Sequence, residues 1–380
     1  YTTLFRSKKP LIVTFLDFKS AFDSIDRLAM PIILKSRGIP DKIVNLINML
    51  YSDTRSCVKI GDCVSEQFAT SSGVRQGSIL SPILFNCYIE YIMNQARSSV
   101  SNVEDIDYVD DITLIHKSVK DAQSMINAIS SVGSSVGLTL NPHKCKVMYI
   151  NYQQIREPLF VSGNALDAVD QFTYLGSVIS ADGTIDSDVA YRLQCAYSAY
   201  NRLKKPVFEN PQVDSPTKLL VYHSSVRSVL LYSSATWPHS KINIDKLDVF
   251  DRNRLRRIMN IGLIDHVTNE DLYRRADLPP ISSIIRHHRL KWFGHVCRMQ
   301  TNRFPRLTMF SPIDHAWIRP PGRSRASFLD AIKNEAILVT GGPATYGIRR
   351  WKSEWLSIFS EMAQNRAQWR AIIRDVASRR

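Results

Sequence analysis

Two periods run through the apolar positions of this chain, and one gives way to the other near its middle. Leu11-Ile12-Val13-Thr14-Phe15-Leu16 is a short β-rich run and predicts a buried strand. Residues 28–50 predict helices broken at Gly38-Ile39-Pro40, with Leu46, Met49 and Leu50 at helical spacing as core positions. Residues 54–70 predict a hairpin that turns at Gly61-Asp62. Ser81-Pro82 reads as an N-cap and first-turn pair for a helix over 83–95, which packs through Leu84, Tyr88, Tyr91 and Ile92. A second hairpin is predicted over 107–115, with Ile112, Leu114 and Ile115 on its exit strand. A helix over 119–136 follows and stops at Gly137; strands are predicted at 138–140 and 146–150, and a strand or turn at 172–177. From Asp186 onward the period is helical, through Val189, Leu193, Ala196, Tyr197 and Tyr200, then Leu219, Tyr222, Val226 and Leu230, then Leu247, Phe250, Leu255 and Ile258. Residues 281–300 predict another helix, 311–325 a Pro-, Gly- and Arg-rich linker, and the remainder a helical pair around Trp355 and Trp369.

Composition adds a polarity to this outline. The 380 residues carry a net charge of +14, yet residues 1–200 hold 18 Lys/Arg against 20 Asp/Glu, and residues 281–380 hold 18 against 6. An acidic first half and a basic tail suit a metal-dependent site joined to a polyanion-binding region. No apolar run approaches the roughly 20 residues of a membrane helix, so no membrane partner is expected. The six cysteines form no Cys-x-x-Cys pair and fit neither a disulfide framework nor a zinc module, which predicts reduced thiols and an intracellular protein. The His/Cys content of 281–300 matches no ordinary zinc spacing either, and a nucleic-acid-facing basic helix is the expectation there.

The candidate chemistry lies in Asp107-Tyr108-Val109-Asp110-Asp111. Adjacent carboxylates repel, and with no basic neighbour in sequence a hard divalent cation is the simplest way to neutralise them. Asp17 ends the first predicted strand, where a carboxylate points into a ligand crevice or caps the helix that follows. Gly73-Val74-Arg75-Gln76-Gly77-Ser78 permits close backbone approach to a ligand. Arg252, Arg254, Arg256 and Arg257 cluster on one predicted helix and suit a phosphate backbone.

Together these stretches resemble a known family. Phe15-x-Asp17-x-x-x-Ala21-Phe22-Asp23, then Gly73-Val74-Arg75-Gln76-Gly77-x-x-x-Ser81-Pro82, then Tyr108-Val109-Asp110-Asp111 are similar, in order, to palm motifs A, B and C of reverse transcriptases. Asn141-x-x-Lys144 is similar to motif D, and Tyr174-Leu175-Gly176-Ser177 to motif E. The likeness is to non-LTR (LINE-type) retrotransposon polyproteins. It implies an α+β fold with a polymerase palm on an antiparallel sheet over 1–180, a helical thumb over 181–262, and a basic helical C-terminal region over 263–380. It implies RNA-directed DNA synthesis with two Mg²⁺ ions, Mn²⁺ being an alternative, held by Asp17, Asp110 and Asp111. The same resemblance gives the remaining roles. Lys144 protonates the pyrophosphate. The Phe18 main chain faces the triphosphate. Phe22 is the sugar gate, and Gln76 and Gly77 line the nucleotide. Arg75, Tyr108, Tyr174, Leu175, Gly176, Arg252 and Arg256 contact nucleic acid. The implied partners are an RNA template, a DNA primer or target, and dNTPs, with action in the nucleus.

The chain begins at Tyr1, and only ten residues precede the first strand. The family's fingers and endonuclease are therefore expected to belong to a longer parent polyprotein, with dNTP binding impaired without them. The alternative reading is a catalytically impaired nucleic-acid-binding remnant of such an element.

Overall fold

The computed structural model describes residues 10–100, 104–152, 156–238, 240–310, 328–340 and 351–378. The expected linker at 311–325 lies outside the described residues. The chain divides into two compact units, Lys8–Phe172 and a unit running from Thr173 to the C-terminus.

The first unit is built on β1 (Leu11–Leu16), whose residues are nearly all buried. It lies at the centre of a five-stranded sheet, between β7 (Asp111–His116) and β8 (Lys146–Ile150), and is antiparallel to both. β6 (Glu104–Tyr108) completes a hairpin with β7 at one edge. At the other edge β11 (Asp167–Ala168) runs parallel to β8, so the sheet is antiparallel except for this two-residue strand. Strand alternation sorts the side chains of β1. Ile12 and Leu16 join a core with Leu114 of β7, Val147 of β8, and the helices α4 (Leu80–Ser99) and α5 (Val119–Ser135). Phe15 faces the other way and stacks on Phe172 at 4.0 Å between ring centroids. Asp17 continues the Phe15 parity, opposite the helical core.

Two expectations fail locally. The helix α3 (Asp41–Tyr51) buries Val44, Ile47 and Tyr51, whereas Leu46, Met49 and Leu50 are 50%, 70% and 52% exposed. Apolar residues recur on more than one face of this helix, and periodicity alone does not choose between them. Nor is Ser81 an N-cap. The helix α4 starts at Leu80, with Ile79 before it and no side-chain cap; Ser81 is buried, and its Oγ donates to the Arg75 carbonyl. The serine ties the preceding loop down instead. The hairpin at 54–70 forms as expected, with Lys59–Ile60 paired to Cys63–Val64 across Gly61-Asp62.

The second unit is helical after the short hairpin of β12 (Gln171–Tyr174) and β13 (Ser177–Ser180). Its larger core runs from Val189 to Ile285, and a smaller one from Leu290 to Ile373. Helices α6 (Asp186–Leu203) and α9 (Lys241–Ile258) pack around π-helical segments at Lys204–Phe208 and Tyr222–Arg227. Helix α11 (Ile281–Cys297) spans both cores. Among the described residues no helix is long and apolar enough to cross a membrane.

In the smaller core Arg289 of α11 is ion-paired with Glu335 of α13 (Phe328–Thr340), and both are buried. Burial pushes the Glu335 carboxyl up to about 7, with Arg289 opposing. The folded state therefore holds this proton more tightly than the unfolded chain does. The stability that follows is fully present below the unfolded carboxyl range and is lost as pH rises through about 7. Thermal melts between pH 5 and 8 should show this fall, and Glu335→Gln should flatten it.

Candidate active site

The acidic turn is fixed by strand pairing. Tyr108 pairs with Asp111 at the end of the β6–β7 ladder, so Val109 and Asp110 form a two-residue turn. Val109 has φ +58°, a value a β-branched residue rarely adopts, and such strain costs about 1–3 kcal/mol. The turn thus holds the Asp110 backbone at a definite angle at the expense of stability. The Tyr108 side chain lies outside the described residues.

The register of β1 with β7 pairs Leu16 with Ile112, and one step further sets Asp17 opposite Asp111. On the other flank, Lys144 Nζ lies 3.3 Å from Asp17 Oδ2. Strand order, which no sequence spacing reveals, brings positions 17, 110, 111 and 144 to one end of the sheet. The Asp111 carboxyl is pushed up, first by burial and then by Asp110 and Asp17, with Lys144 opposing. Asp17 Oδ2 is buried and accepts no hydrogen bond. Among the described residues no group of three His, Cys, Asp or Glu side chains is arranged to hold a metal ion by itself. The donor set nevertheless fits a hard cation. It consists of carboxylate oxygens, one of them without a hydrogen-bond donor, and Mg²⁺ commonly takes one or two carboxylates and completes its shell with water and substrate phosphates.

The Phe18 main chain is oriented by the bridge to Leu140. This bridge is all that forms of the strand expected at 138–140. Lys19 N–H donates to Thr139 O and Asn141 N–H to Asp17 O, at 2.8 Å each. These flanking bonds make Phe18 and Leu140 a non-hydrogen-bonded pair, so the Phe18 N–H points away from Leu140. Its side chain is buried.

The glycine-rich loop is sewn to the segment that follows Asp17. Gly73 N–H donates to Ile25 O and Val74 N–H to Phe22 O, both at 2.8 Å. Gln76 Nε2 donates to the Asp23 carboxylate at 3.1 and 3.3 Å. Phe22 is half-buried and stacks on Phe85 at 4.6 Å. Arg75 and Gly77 are exposed. Arg27, for which the sequence carried no signal, is the organiser of this region. Its Nε donates to Gly73 O at 2.7 Å, and its Nη1 to Thr54 Oγ1 at 2.6 Å and Thr70 O at 2.7 Å. Gly73 has φ +77°, and a Cβ there would stand 2.7–2.9 Å from Asp23 backbone atoms. Gly73→Ala should therefore lower the stability of the first unit by about 2–3 kcal/mol, read by denaturant melts.

In the second unit, Leu175 and Gly176 form the β12–β13 turn with φ +48° and +81°. Arg192 Nη2 donates to Gly176 O, and Tyr232 Oη donates to Leu175 O at 3.0 Å. Arg192 also lies over the Tyr232 ring at 4.4 Å. Tyr174 ends β12 beside this turn, half-buried. The arginine cluster of α9 is only partly available to a ligand. Arg254 is buried against Tyr197 and Tyr200, and Arg256 Nη2 donates to Val267 O at 2.8 Å; Arg252 is half-buried and Arg257 exposed. On α11 packing takes some of the expected nucleic-acid face, since Arg289 is buried and His288 Nδ1 is hydrogen-bonded to Ser234 Oγ at 2.9 Å, while Lys291 and His295 are exposed. The described cysteines are free thiols.

Residues 2–179 match the family described as reverse transcriptase (RNA-dependent DNA polymerase). Over these residues, a little under half of the chain, the sequence is that of a reverse transcriptase domain. The chain is similar to F52C9.6, an uncharacterized transposon-derived protein of Caenorhabditis elegans, at 26% identity over 73% of this chain and 98% of the relative. It is also similar to the Pol polyprotein of the type-1 retrotransposable element R2 of Nasonia vitripennis, at 25% identity over 47% of this chain and 19% of the polyprotein. The chain thus spans nearly all of the first relative and about a fifth of the second. Among solved structures, apo telomerase from Candida tropicalis overlaps 74% of this chain and 46% of its own, at 13% identity and a TM-score of 0.41, too loosely to bear on the site. The non-LTR resemblance read from the motifs therefore holds. Reverse transcriptases use divalent metal ions, in keeping with the carboxylate end of this sheet.

Proposed function

We propose that this chain is the RNA-directed DNA polymerase of a non-LTR retrotransposon, extending a DNA primer on an RNA template from dNTPs. The observation that carries the reading is the pairing of β1 with β7, which sets Asp17 opposite Asp111 beside the Asp110 turn.

Asp17 and Asp110 hold two Mg²⁺ ions in this reading, with Asp111 in support and Mn²⁺ as a substitute. When bound, the ions neutralise charge on the attacking 3′-oxygen and the departing pyrophosphate. The protein's own contribution is position and charge. Asp17 Oδ2, without a hydrogen-bond donor, is available to a cation once Lys144 swings away. Lys144, released from Asp17, supplies the proton to pyrophosphate in this reading. The Phe18 N–H, turned from Leu140, meets the triphosphate, and Phe22 limits space at the sugar 2′-position. Gln76, held by Asp23, and Gly77 line the nucleotide; Arg75 is free to meet phosphate. The Leu175-Gly176 turn, pinned by Arg192 and Tyr232, offers a rigid tip to the primer strand. Action on chromosomal DNA places the protein in the nucleus.

Incubating the purified chain with a primed RNA template, dNTPs and Mg²⁺ tests this. Template-directed extension is expected. Tight RNA binding without extension under any divalent ion would instead favour the remnant reading.

A further inference from the structure

We propose that Arg366, Arg370 and Arg374 on α15 (Arg366–Ser378) bind the phosphodiester backbone of a polynucleotide. The choice of polynucleotide rests on the polymerase reading of the first unit.

The three α15 arginines are four residues apart, so they line one side of the helix at about 6 Å per step. All three are exposed, and none forms an ion pair among the described residues. The helix is fixed through the face that adjoins the row. Trp369 is buried on α11 and its Nε1 donates to Leu290 O at 3.0 Å. Gly294 makes this docking possible, because a Cβ there would stand 2.1 Å from Trp369 Nε1. Arg298, at the end of α11, is not part of the row, because its donors are already taken or buried. Its Nη1 donates to Ala363 O at 2.6 Å, and its Nε is buried without a hydrogen-bond partner.

Such a row works against its own helix. Like charges four residues apart repel. Arg366 opens the helix, where the positive end of the macrodipole disfavours a cation. Asn365 Oδ1 already caps the N–H groups of Ala367 and Gln368, so the arginine contributes nothing to capping. The one acid of α15, Asp375, comes at its far end, and Glu361 near the end of α14 (Trp351–Met362) is exposed and pairs with none of the row. A merely solvated face interleaves both signs; this one concentrates a single sign and needs an external anion. Among the described side chains of α15 none of the large apolar ones is exposed, which leaves little to insert into a bilayer. The contact expected is therefore chiefly with phosphate, which is shared by RNA and DNA.

Fluorescence anisotropy of the full chain against labelled RNA and DNA of one sequence, across KCl concentrations and without dNTPs, tests this. The triple variant Arg366→Gln/Arg370→Gln/Arg374→Gln should bind both about tenfold or more weakly, and lower the slope of log affinity against log salt by about 2 for three lost contacts. Its melting temperature should equal or exceed that of the parent, because repulsion is relieved. Lysine at all three positions should restore the slope, since phosphate accepts a point charge. If the triple variant does not fold, Arg370→Gln alone should lower the slope by about 0.7. An unchanged slope in a folded variant, failure of lysine to restore it, or loss confined to phosphatidylserine vesicles overturns the proposal. An unchanged slope in a chain that extends primers overturns this proposal alone. A lowered slope in a chain that extends nothing overturns only the polymerase reading.

Discussion

Asp110→Asn lowers primer extension by about 10³-fold and leaves RNA affinity within about twofold of the parent. The amide keeps the size of the side chain and its place in the Val109-Asp110 turn, so the hairpin register is undisturbed. What it removes is one negative charge from a group of three carboxylates. Burial and mutual repulsion already push one of them, Asp111, toward its neutral form. A cation site built on fewer charges binds a divalent ion more weakly, and the reacting oxygens lose their neutralisation. RNA binding draws on basic residues elsewhere, so it should hardly change. Equal losses in extension and affinity, measured by gel extension and anisotropy on one preparation, would show that Asp110 supports the fold or the RNA contact and not the chemistry.

The largest expected stability effect lies in the second unit. Arg227, fully buried, donates from Nε to Asp251 Oδ1 at 2.8 Å and from Nη2 to Asp251 Oδ2 at 2.6 Å, and also reaches Pro279 O at 3.0 Å. Tyr222 Oη adds a bond to Asp251 at 2.9 Å. Arg227→Met leaves the Asp251 carboxylate buried without its cation and should destabilise the unit by about 3–5 kcal/mol. Replacing both partners, Arg227→Met with Asp251→Leu, should recover most of that loss, because the charge that had to be desolvated is gone. A double-mutant cycle by urea melts checks this. Additive losses would mean that packing around each side chain, not their pairing, sets the effect.

Most of the element types were legible in the sequence because each followed from local period and turn chemistry. β1, the Asp110 hairpin, α5 and the long helices after Asp186 lie where expected. Failures came where two local readings were equally good. The apolar residues of α3 fitted more than one face, and only contact with the core selected Val44, Ile47 and Tyr51. Ser81 had the chemistry of a cap, but the Arg75 carbonyl was a nearer partner. The arginines of α9 read as one cationic group, although Arg254 is enclosed by aromatic rings and Arg256 is bonded to a loop. Arg27 gave no signal because its hydrogen-bond partners are backbone carbonyls and the Thr54 hydroxyl, which only folding brings near.

By itself the sequence named the candidates for the chemistry: the carboxylates, the glycine-rich loop and the basic tail. Residue types and short spacings are enough to state a charge, a turn or a helix. The tertiary structure decided which of them meet. Asp17 lies more than ninety positions from Asp111, and only the antiparallel register of β1 with β7 makes them neighbours. It likewise decided which arginines remain in water, because a guanidinium is available to phosphate only where packing has not already taken its donors.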